Sequence, residues 1–325
     1  MFNKTILITG GTGSWGLELV KQLLTKQPKE IRIFSRNESM QVQMRQTIGD
    51  PRLQFVIGDI RDKAELSMAC SGVDEVYHLA ALKHVPICED QPESALKTNV
   101  IGTQNVIDAS IENGVHKVMY VSTDKASNPS NTYGMTKAIG EKLILGANGR
   151  SATMFACFRS GNVLGTAGSV VPLFKQQLEE GKNLSVTDPG MTRFFLTLGD
   201  AVQIMLTAME NSRGGEVFIA KMKACKITDL AQVLINKSGS KNTKIRYVGI
   251  RPGEKLHETL ISESESDRVI DRHQQYFTIL PAIPLDRLIE DEISLGEVIR
   301  RGYHSEDCTM SLEEIEHLLQ RGGFF

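Results

Sequence analysis

Residues 5–16 read TILITGGTGSWG, and this stretch decides the fold. Its first five residues are an apolar run rich in β-branched side chains, which predicts a short strand. Gly10, Gly13 and Gly16 follow at once, and residues 17–24 then carry apolar side chains at helical spacing. A strand, a glycine-rich turn and a helix in this order are typical of a dinucleotide site, with the phosphates at the helix N-terminus.

Further apolar runs follow at regular spacing along the first half of the chain. They predict strands over residues 30–34, 53–57, 75–79 and 118–121, with a helix over residues 63–69. Alternating strands and helices are typical of βαβ units, whose helices cover both faces of a parallel sheet. The sequence therefore predicts an α/β fold built on a doubly wound parallel Rossmann sheet.

The end of the second predicted strand indicates which dinucleotide binds. A free ribose 2′-hydroxyl usually meets an acidic residue here, whereas an arginine accommodates a 2′-phosphate. Ser35 and Arg36 therefore favour NADP over NAD, although Glu38 lies close enough to leave NAD open. After the third predicted strand, Asp59 is placed to accept a hydrogen bond from the adenine amino group. After the fourth, the small Ala80 lets the backbone approach the cofactor.

A second motif follows the strand predicted over residues 118–121. Ser122-Thr123-Asp124-Lys125 stands where the carboxyl end of that strand should be, and ligands of open α/β sheets bind at this edge. Tyr133 and Lys137 are four residues apart, so they share one helix face, where the ammonium favours the phenolate. Tyr133 would then act as a base while a hydride leaves a carbinol. Asp124-Lys125 adds a second acid and base, which suggests oxidation followed by elimination.

The later part of the chain predicts a different organisation. Helices are expected over residues 170–180 and 227–238, strands over 216–219 and 244–248, and a capped helix after Ser311, while the acidic residues 262–267 are expected to be a mobile surface segment. We therefore expect residues 1–165 to form a nucleotide-binding domain that carries the catalytic residues, with its sheet completed by later segments. Residues 166–325 would form mainly a smaller substrate-binding lobe and a C-terminal helical region.

Composition narrows the class of protein. A formal net charge of −2 gives no electrostatic footprint for nucleic acid, and no apolar run approaches the ~20 residues of a membrane span. The N-terminus lacks the pattern of a signal peptide. The five cysteines have neither metal-ligand nor redox spacing, so we expect reduced thiols, no metal and a cytoplasmic location.

The chain resembles the extended short-chain dehydrogenase/reductase superfamily, and within it the inverting UDP-N-acetylglucosamine 4,6-dehydratases of pseudaminic acid biosynthesis. The resemblance runs from Thr5 to about Leu260. It is carried by the segments AALKHVP (80–86), STDKA (122–126), RSGNV (159–163), MTRF (191–194) and RPGEK (251–255). Retaining hexose dehydratases have Asp-Glu in place of Asp124-Lys125, some inverting relatives have Met in place of Tyr133, and pseudaminic-type enzymes often have Tyr in place of Ser160.

The resemblance implies a reaction in three stages on UDP-N-acetylglucosamine. Carbon 4 is oxidised, water is eliminated across carbons 5 and 6, and the hydride returns to carbon 6. Inversion at carbon 5 gives UDP-2-acetamido-2,6-dideoxy-L-arabino-hexos-4-ulose. Lys125 would remove the carbon 5 proton if burial and the nearby cationic nicotinamide together depress its pKa. Asp124 would protonate the leaving hydroxyl, and Tyr133 with Lys137 would serve the oxidation. The enzyme is expected to be a homo-oligomer.

Residue patterns and resemblance together predict the site. The predicted cofactor-binding residues are Gly10, Thr12, Gly13, Ser14, Trp15, Gly16, Ser35, Arg36, Glu38, Met40, Asp59, Ile60, Ala80, Lys83, Ser122, Tyr133, Lys137 and Val163. The predicted substrate-binding residues are Lys83, Thr123, Asn162, Val171, Arg193, Arg251 and Glu254. Two arginines suit a diphosphate because a guanidinium pairs with phosphate oxygens in bidentate fashion.

Three other functions stay open. A sugar-nucleotide epimerase would share the fold, the cofactor and the Tyr-Lys pair, but it needs no acid for the carbon 6 hydroxyl. A partial dehydratase that releases a 5,6-unsaturated sugar would use the same residues. A non-catalytic NADP-sensing regulator would keep the glycine turn but has no reason to keep Lys125, Tyr133 and Lys137 together.

Overall fold

The computed structural model describes residues 2–166, 168–240, 242–271, 273–282, 297–298 and 301–325. Its strands are β1 (Thr5–Thr9), β2 (Glu30–Ser35), β3 (Leu53–Ile57), β4 (Glu75–His78), β5 (Lys117–Thr123), β6 (Met154–Ser160), β7 (Asn162–Val163), β8 (Leu184–Val186), β9 (Thr192–Leu196), β10 (Val217–Ala220), β11 (Ala224–Lys226), β12 (Ile245–Tyr247), β13 (Thr259–Ile261), β14 (Val269–Asp271), β15 (Tyr276–Ile279), β16 (Glu297–Val298) and β17 (Tyr303–His304).

The helices alternate with the strands along the first part of the chain. They are α1 (Ser14–Thr25), α2 (Glu38–Ile48), α3 (Lys63–Cys70), α4 (Val85–Asp90), α5 (Pro92–Leu96), α6 (Gly102–Glu112), α7 (Thr132–Gly146), α8 (Val170–Glu179), α9 (Leu198–Asn211), α10 (Ile227–Ser238) and α11 (Leu312–Arg321). A π-helical turn (Lys97–Ile101) leads into α6, and 3₁₀ turns cover Asp124–Ala126 and Glu263–Arg268.

One large sheet organises the molecule. Its strand order is β16-β14-β15-β10-β6-β5-β4-β1-β2-β3. The seven neighbours β10-β6-β5-β4-β1-β2-β3 pair in parallel. Beyond β10, the strands β15, β14 and β16 continue the sheet in antiparallel fashion. The predicted doubly wound parallel sheet is therefore confirmed. The antiparallel extension is a feature that the sequence did not indicate.

Burial explains why the chain forms this sheet. All five residues of β1 are buried, as expected for a central strand covered on both faces. Helix α1 turns Leu19, Val20 and Leu23 into the same core. Since β1 and β4 pair in parallel, the segments that follow them meet at one edge of the sheet.

A second, smaller apolar cluster forms the core of the C-terminal lobe. Phe174 on α8, Leu230 and Leu234 on α10, and Ile315 and Leu319 on α11 belong to it, and all five are almost fully buried. The helix predicted after Ser311 is present, with a capping box between Ser311 and Glu314. Among the residues described, no helix combines the length and apolar character that crossing a bilayer requires.

The acidic segment 262–267 differs from its sequence-based interpretation. It forms most of the 3₁₀ turn Glu263–Arg268, and Glu265 caps that turn together with Ser262. Arg159 on β6 donates to both Glu265 and Glu141, with its Nη2 2.6 Å from Glu141 Oε2 and 3.0 Å from Glu265 Oε1. Glu141 lies on α7, so the segment expected to be mobile is tied through a buried arginine to that helix.

Candidate active site

The glycine turn after β1 fits a dinucleotide. Gly10 has φ +69°, and a Cβ there would lie 2.8 Å from the backbone of Ala80, so only glycine fits. A Cβ on Gly16 would overlap Gly11 O, whereas one on Gly13 would meet only Gly10 O at 3.5 Å. The space above Gly13 is thus left open by the protein. Gly13 is also the N-cap of α1 and has no side chain to occupy the helix N–H groups.

A cavity opens beside this turn, at the carboxyl ends of β1, β2 and β3. Its lining consists of Gly10, Thr12, Phe34, Ser35, Arg36, Asn37, Gly58, Asp59, Ile60, Ala80, Ala81 and Thr98. The structure therefore brings together predicted cofactor-binding residues at or just after the ends of β1, β2, β3 and β4: Gly10, Thr12, Ser35, Arg36, Asp59, Ile60 and Ala80. This is the place expected for the adenosine half of a dinucleotide.

Asp59, in the lining of this cavity, pairs with two arginines: Arg36, which also lines the cavity, and Arg61. Arg36 is half exposed, and its Nη1 lies 3.8 Å from Asp59 Oδ2. Arg61 binds the same carboxylate more tightly, with Nη2 at 2.5 Å and Nε at 2.9 Å. Burial alone would raise the pKa of Asp59, but the bonds from Arg61 outweigh it and lower that pKa. Arg61 was not predicted, because nothing in the sequence indicates that it folds back on Asp59.

The other residues predicted to bind the adenosine part of the cofactor differ in solvent exposure. Glu38 and Met40 are exposed on the first turn of α2, and Ser35 accepts a hydrogen bond from Gln41. Trp15 on α1 is partly buried against Phe158.

The Ser-Thr-Asp-Lys segment lies at the carboxyl end of β5, as predicted. Thr123 closes the strand, and its hydroxyl donates to Asp124 Oδ1 at 3.0 Å. Tyr133, on the first turn of α7, also forms a hydrogen bond with Thr123. Ser122 Oγ and Asp124 Oδ2 are buried without a hydrogen-bond partner among the described residues. Buried polar atoms are rarely left unpaired, so these two suit a site that receives a polar ligand.

The Tyr-Lys pair differs from its expected arrangement. Lys137 donates to Val121 O at 2.6 Å, and its ammonium lies 3.8 Å from the ring centroid of Tyr120. Burial lowers the pKa of Lys137 to about 7. Burial also raises the pKa of Tyr133 to about 12, and the cation that opposes this rise is Lys125. Lys125 therefore takes the electrostatic role toward Tyr133 that the sequence assigned to Lys137.

Lys125 lies between two carboxylates. Its Nζ is 2.9 Å from Asp124 Oδ1 and 3.3 Å from Glu258 Oε1. Burial alone would lower the pKa of Lys125, but these carboxylates outweigh it and raise that pKa. Burial thus acts in the expected direction, but Asp124 and Glu258 reverse the net shift, and the part of the expectation that depends on a bound nicotinamide stays a prediction. Glu258 was not predicted, although it follows the RPGE motif by only four residues.

The RPGE segment (residues 251–254) contacts the N-terminus of helix α7, where Gly253 O accepts a hydrogen bond from Asn131 at 2.9 Å. The two predicted substrate-binding arginines differ in how far they are already paired. Arg193 on β9 is buried and donates to Leu256 O at 3.1 Å and Lys255 O at 2.8 Å, with Glu254 Oε1 at 3.4 Å. Arg251 is exposed, and its contacts with Glu254 are made by its backbone: its N–H donates to Glu254 Oε2 at 3.3 Å, and its carbonyl accepts from Glu254 N at 3.0 Å. Arg251 is therefore the arginine of the predicted pair that is better able to meet a diphosphate.

The remaining predicted residues are spread around the same cleft. Lys83 is exposed in the segment after β4, and Asn99 holds the adjacent Leu82 through hydrogen bonds of 2.8 and 2.9 Å. Asn99 also donates to Thr136 on α7 at 3.0 Å, a link that the sequence did not indicate.

Two further predicted residues lie on β7, at the border of the small lobe. Asn162 is half-buried and Val163 is buried. Val171 has no exposed surface and belongs to the small-lobe core, so its predicted substrate contact stays a prediction.

Fold and site together define a nucleotide-binding enzyme of the short-chain dehydrogenase/reductase superfamily. Residues 6–281 match a family described as polysaccharide biosynthesis protein, and the chain belongs to that family. The resemblance inferred from the sequence motifs is confirmed.

Two relatives show what the chain is similar to. It is 46% identical over 314 residues to a Campylobacter jejuni protein named UDP-N-acetylglucosamine 4,6-dehydratase (inverting), which covers 94% of this chain and 92% of the relative. It is 44% identical over 291 residues to a protein of Rickettsia canadensis named UDP-glucose 4-epimerase, covering 87% of this chain and 84% of the relative. Because the two names differ in reaction, the chemistry of the site must decide between them.

Solved structures share the fold. Pen from Bacillus thuringiensis superposes with a TM-score of 0.90 at 37% identity, covering 98% of this chain and 99% of that one. A dTDP-glucose 4,6-dehydratase from Streptomyces venezuelae, solved with NAD and TYD bound, has a TM-score of 0.72 at 26% identity, over 78% of this chain and 86% of its own.

Proposed function

We propose that the protein catalyses the NADP-dependent 4,6-dehydration of UDP-N-acetylglucosamine, with inversion at carbon 5. The observation that carries this proposal is the Asp124–Lys125 pair, with Lys125 Nζ 2.9 Å from Asp124 Oδ1 and Tyr133 beside both. A C4 epimerase needs one base at carbon 4 and has no task for a second acid and base. The similarity to the C. jejuni dehydratase supports the same choice.

The cofactor and the UDP-sugar have separate places. Gly10, Gly13 and the N-terminus of α1 would hold the pyrophosphate of NADP, and Arg36 would meet its 2′-phosphate. The exposed Arg251 would bind the diphosphate of the substrate, with Glu254 on the ribose hydroxyls and Lys83 between cofactor and sugar. When bound, the nicotinamide supplies a hydride acceptor at carbon 4 and a hydride donor at carbon 6.

The oxidation needs a base at carbon 4. Tyr133 would take the proton of the carbon 4 hydroxyl, and Ser122 or Thr123 would hydrogen-bond the same oxygen. With its pKa at about 12, Tyr133 depends on nearby cations to act near neutral pH. Lys125 is one of them, and Lys137, which donates to Val121 O, would also hold the cofactor ribose.

The elimination needs a base at carbon 5 and an acid at carbon 6. If one proton passes from Lys125 to Asp124 along their 2.9 Å hydrogen bond, Lys125 becomes the neutral base and Asp124 the protonated acid in the same step. The Lys125 amine would then take the carbon 5 proton, while Asp124 gives its proton to the carbon 6 hydroxyl. The carbon–oxygen bond breaks and water leaves. Lys125 is an ammonium and Asp124 a carboxylate again, so the pair is reset for the next turnover.

The stereochemistry follows from where the carbon 5 proton returns. Lys125 replaces the glutamate of retaining relatives, and reprotonation from the opposite face, by Tyr133 or a water, would invert carbon 5. Since the cofactor is regenerated in each turnover, it should remain bound. Action as a homo-oligomer in the cytoplasm remains part of the prediction.

A proton NMR time course with UDP-N-acetylglucosamine in deuterated water tests the proposal. We expect the L-arabino 4-keto sugar, with one deuterium at carbon 5 and no requirement for added NADPH. A D-xylo product from the first turnover would overturn inversion and leave dehydration standing. Accumulation of a 5,6-unsaturated sugar would favour a partial dehydratase, and a C4 epimer with carbon 6 intact would overturn dehydration itself.

A further inference from the structure

Glu258 is held rigidly beside the proposed acid–base pair. It follows the RPGE turn and directly precedes β13, and only 2% of its surface is exposed. Its backbone N–H donates to Ser305 Oγ at 2.9 Å, and Ser305 N–H donates back to Glu258 O at 2.9 Å. Ser305, in the C-terminal part of the chain, thus fixes the backbone position of Glu258.

The Glu258 carboxylate faces cations and is otherwise poorly satisfied. Its Oε1 lies 3.3 Å from Lys125 Nζ and 3.7 Å from Arg193 Nε, while Oε2 is buried without a hydrogen-bond partner among the described residues. Burying a carboxylate in this way costs free energy that an apolar side chain of similar size would avoid. The arrangement therefore argues for a role of the negative charge itself.

The charge balance around Lys125 shows what that role is. The charged and titratable groups that face it are Asp124 from its own turn, Tyr133 from α7, Arg193 from β9, and Lys255 and Glu258 from the segment before β13. Without Glu258, one carboxylate would remain against two like charges. Loss of the Glu258 charge should therefore make Lys125 release its proton more readily.

We infer that Glu258 is a positioning residue. Its negative charge keeps Lys125 protonated, and this proton is the one that Lys125 shares with Asp124. This inference rests on the proposed function, in which that proton makes Asp124 the acid and Lys125 the base of the elimination. Glu258 does not touch the reacting carbons. It holds the ammonium toward Asp124 between turnovers, so that the pair starts each cycle with its proton in place.

The first experiment needs no substrate. In the full-length Glu258→Gln protein, the reactivity of Lys125 toward acetic anhydride is measured against pH by mass spectrometry of the Lys125 peptide. An amide of nearly equal volume removes the charge, so the pH of half-maximal labelling should fall by about 1–2 units relative to the parental protein. An unchanged or raised midpoint would overturn the inference.

A second variant keeps the inference testable if the amide does not fold. Glu258→Asp keeps a carboxylate but withdraws it by one methylene, so a smaller shift in the same direction is expected. A folded Glu258→Asp protein whose Lys125 labels at the parental midpoint would contradict the role proposed for Glu258.

The second experiment follows dehydration as a function of pH. Above the pKa of Lys125 the shared proton is lost and Asp124 has nothing to donate, so activity falls. This alkaline limb should move about 1–2 units lower in Glu258→Gln. The matched control is Glu306→Gln, since Glu306 is exposed and pairs with His257, the neighbour of Glu258. It should keep the parental limb, and an equal shift in both variants would refute a specific role for Glu258.

The two proposals fail in different ways. If the parental protein does not dehydrate UDP-N-acetylglucosamine, the proposed function is wrong, while the labelling midpoints still test whether Glu258 holds the proton on Lys125. If the parental protein turns over and Glu258→Gln keeps both the labelling midpoint and the alkaline limb, only the inference about Glu258 fails.

Discussion

Lys125 and Lys137 lie eight and four residues from Tyr133 in the sequence, and their surroundings shift their pKa values in opposite directions. Lys137 on α7 contacts the backbone carbonyl of Val121 and the ring of Tyr120, and burial, which outweighs the nearby Glu141, lowers its pKa to about 7. Lys125 lies at the end of β5, where Asp124 and Glu258 outweigh burial and raise its pKa. The balance between burial and nearby carboxylates therefore decides the direction of each pKa shift: burial prevails at Lys137, and the carboxylates prevail at Lys125.

The difference suggests a division of labour between the two ammonium groups. With a pKa of about 7, Lys137 is only partly protonated near neutral pH. Lys125 retains its proton and can exchange it with Asp124. Variants that alter one lysine at a time would separate these roles.

The largest effect is expected at Lys125. Lys125→Ala and Asp124→Asn should each slow dehydration by about 10²–10⁴, the usual cost of losing a general acid or base. Fold and bound nucleotide should survive, because both residues lie in the turn after β5. Product formation by NMR and nucleotide release on denaturation measure the two properties. Nearly parental turnover in both variants would assign the elimination to other residues.

A smaller but still substantial effect is expected at Lys137. Lys137→Met should slow the oxidation at carbon 4 by about 10², the lower end of the range for a group that assists proton transfer. Exchange of the carbon 5 proton in a supplied 4-keto sugar should continue, because Lys125 and Asp124 remain. Deuterium incorporation into that sugar provides the measurement. Loss of exchange to the same degree as oxidation would show that the two lysines are not separable.

A third cation, Arg36, is half exposed, and its Nη1 lies 3.8 Å from the Asp59 carboxylate. Arg36→Ala should weaken NADP binding about 10- to 100-fold, as expected for a lost charge-assisted hydrogen bond, and change NAD binding little. Titration calorimetry with both nucleotides measures this, and Arg45→Ala, on the exposed side of α2, serves as the control. Extraction of only NAD(H) from purified protein would reverse the assignment.

The smallest effect concerns stability. The folded-state pKa of Lys137 is about 7, below that of an unfolded lysine, so between those values the unfolded chain binds more protons. Stability of the ligand-free protein should therefore rise with pH above 7, by at most about 1.4 kcal/mol per pH unit from this group. Urea unfolding at several pH values gives the free energy of unfolding of the parental protein and of Lys137→Met. The difference between their pH slopes measures the contribution of Lys137. Identical slopes would show that Lys137 is charged when folded.

Much of the nucleotide-binding half follows from local signals in the sequence. The apolar run before Gly10, the glycine spacing and the motif after β5 each report on neighbouring residues, and the structure places them at one sheet edge as expected. Helix α10 (Ile227–Ser238) is confirmed with the predicted bounds.

What the sequence missed depends on contacts between distant segments. Glu258 meets Lys125 only because β13 brings the RPGE segment to the end of β5, and Arg159 reaches Glu265 across 106 residues. Asn99 shows no local pattern that separates it from any polar helix residue. The acidic segment 262–267 was misread for the same reason, since its buried partner lies on another strand.

The link between the RPGE segment and helix α7 has a consequence for engineering. Gly253 O accepts hydrogen bonds from Asn131 at 2.9 Å and Ser130 at 3.1 Å, at the residues that begin the helix bearing Tyr133. If residues 251–258 were replaced by those of a related epimerase in order to change the sugar specificity, the start of that helix would also move. Libraries that vary residues 251–258 should therefore vary positions 130 and 131 together with them.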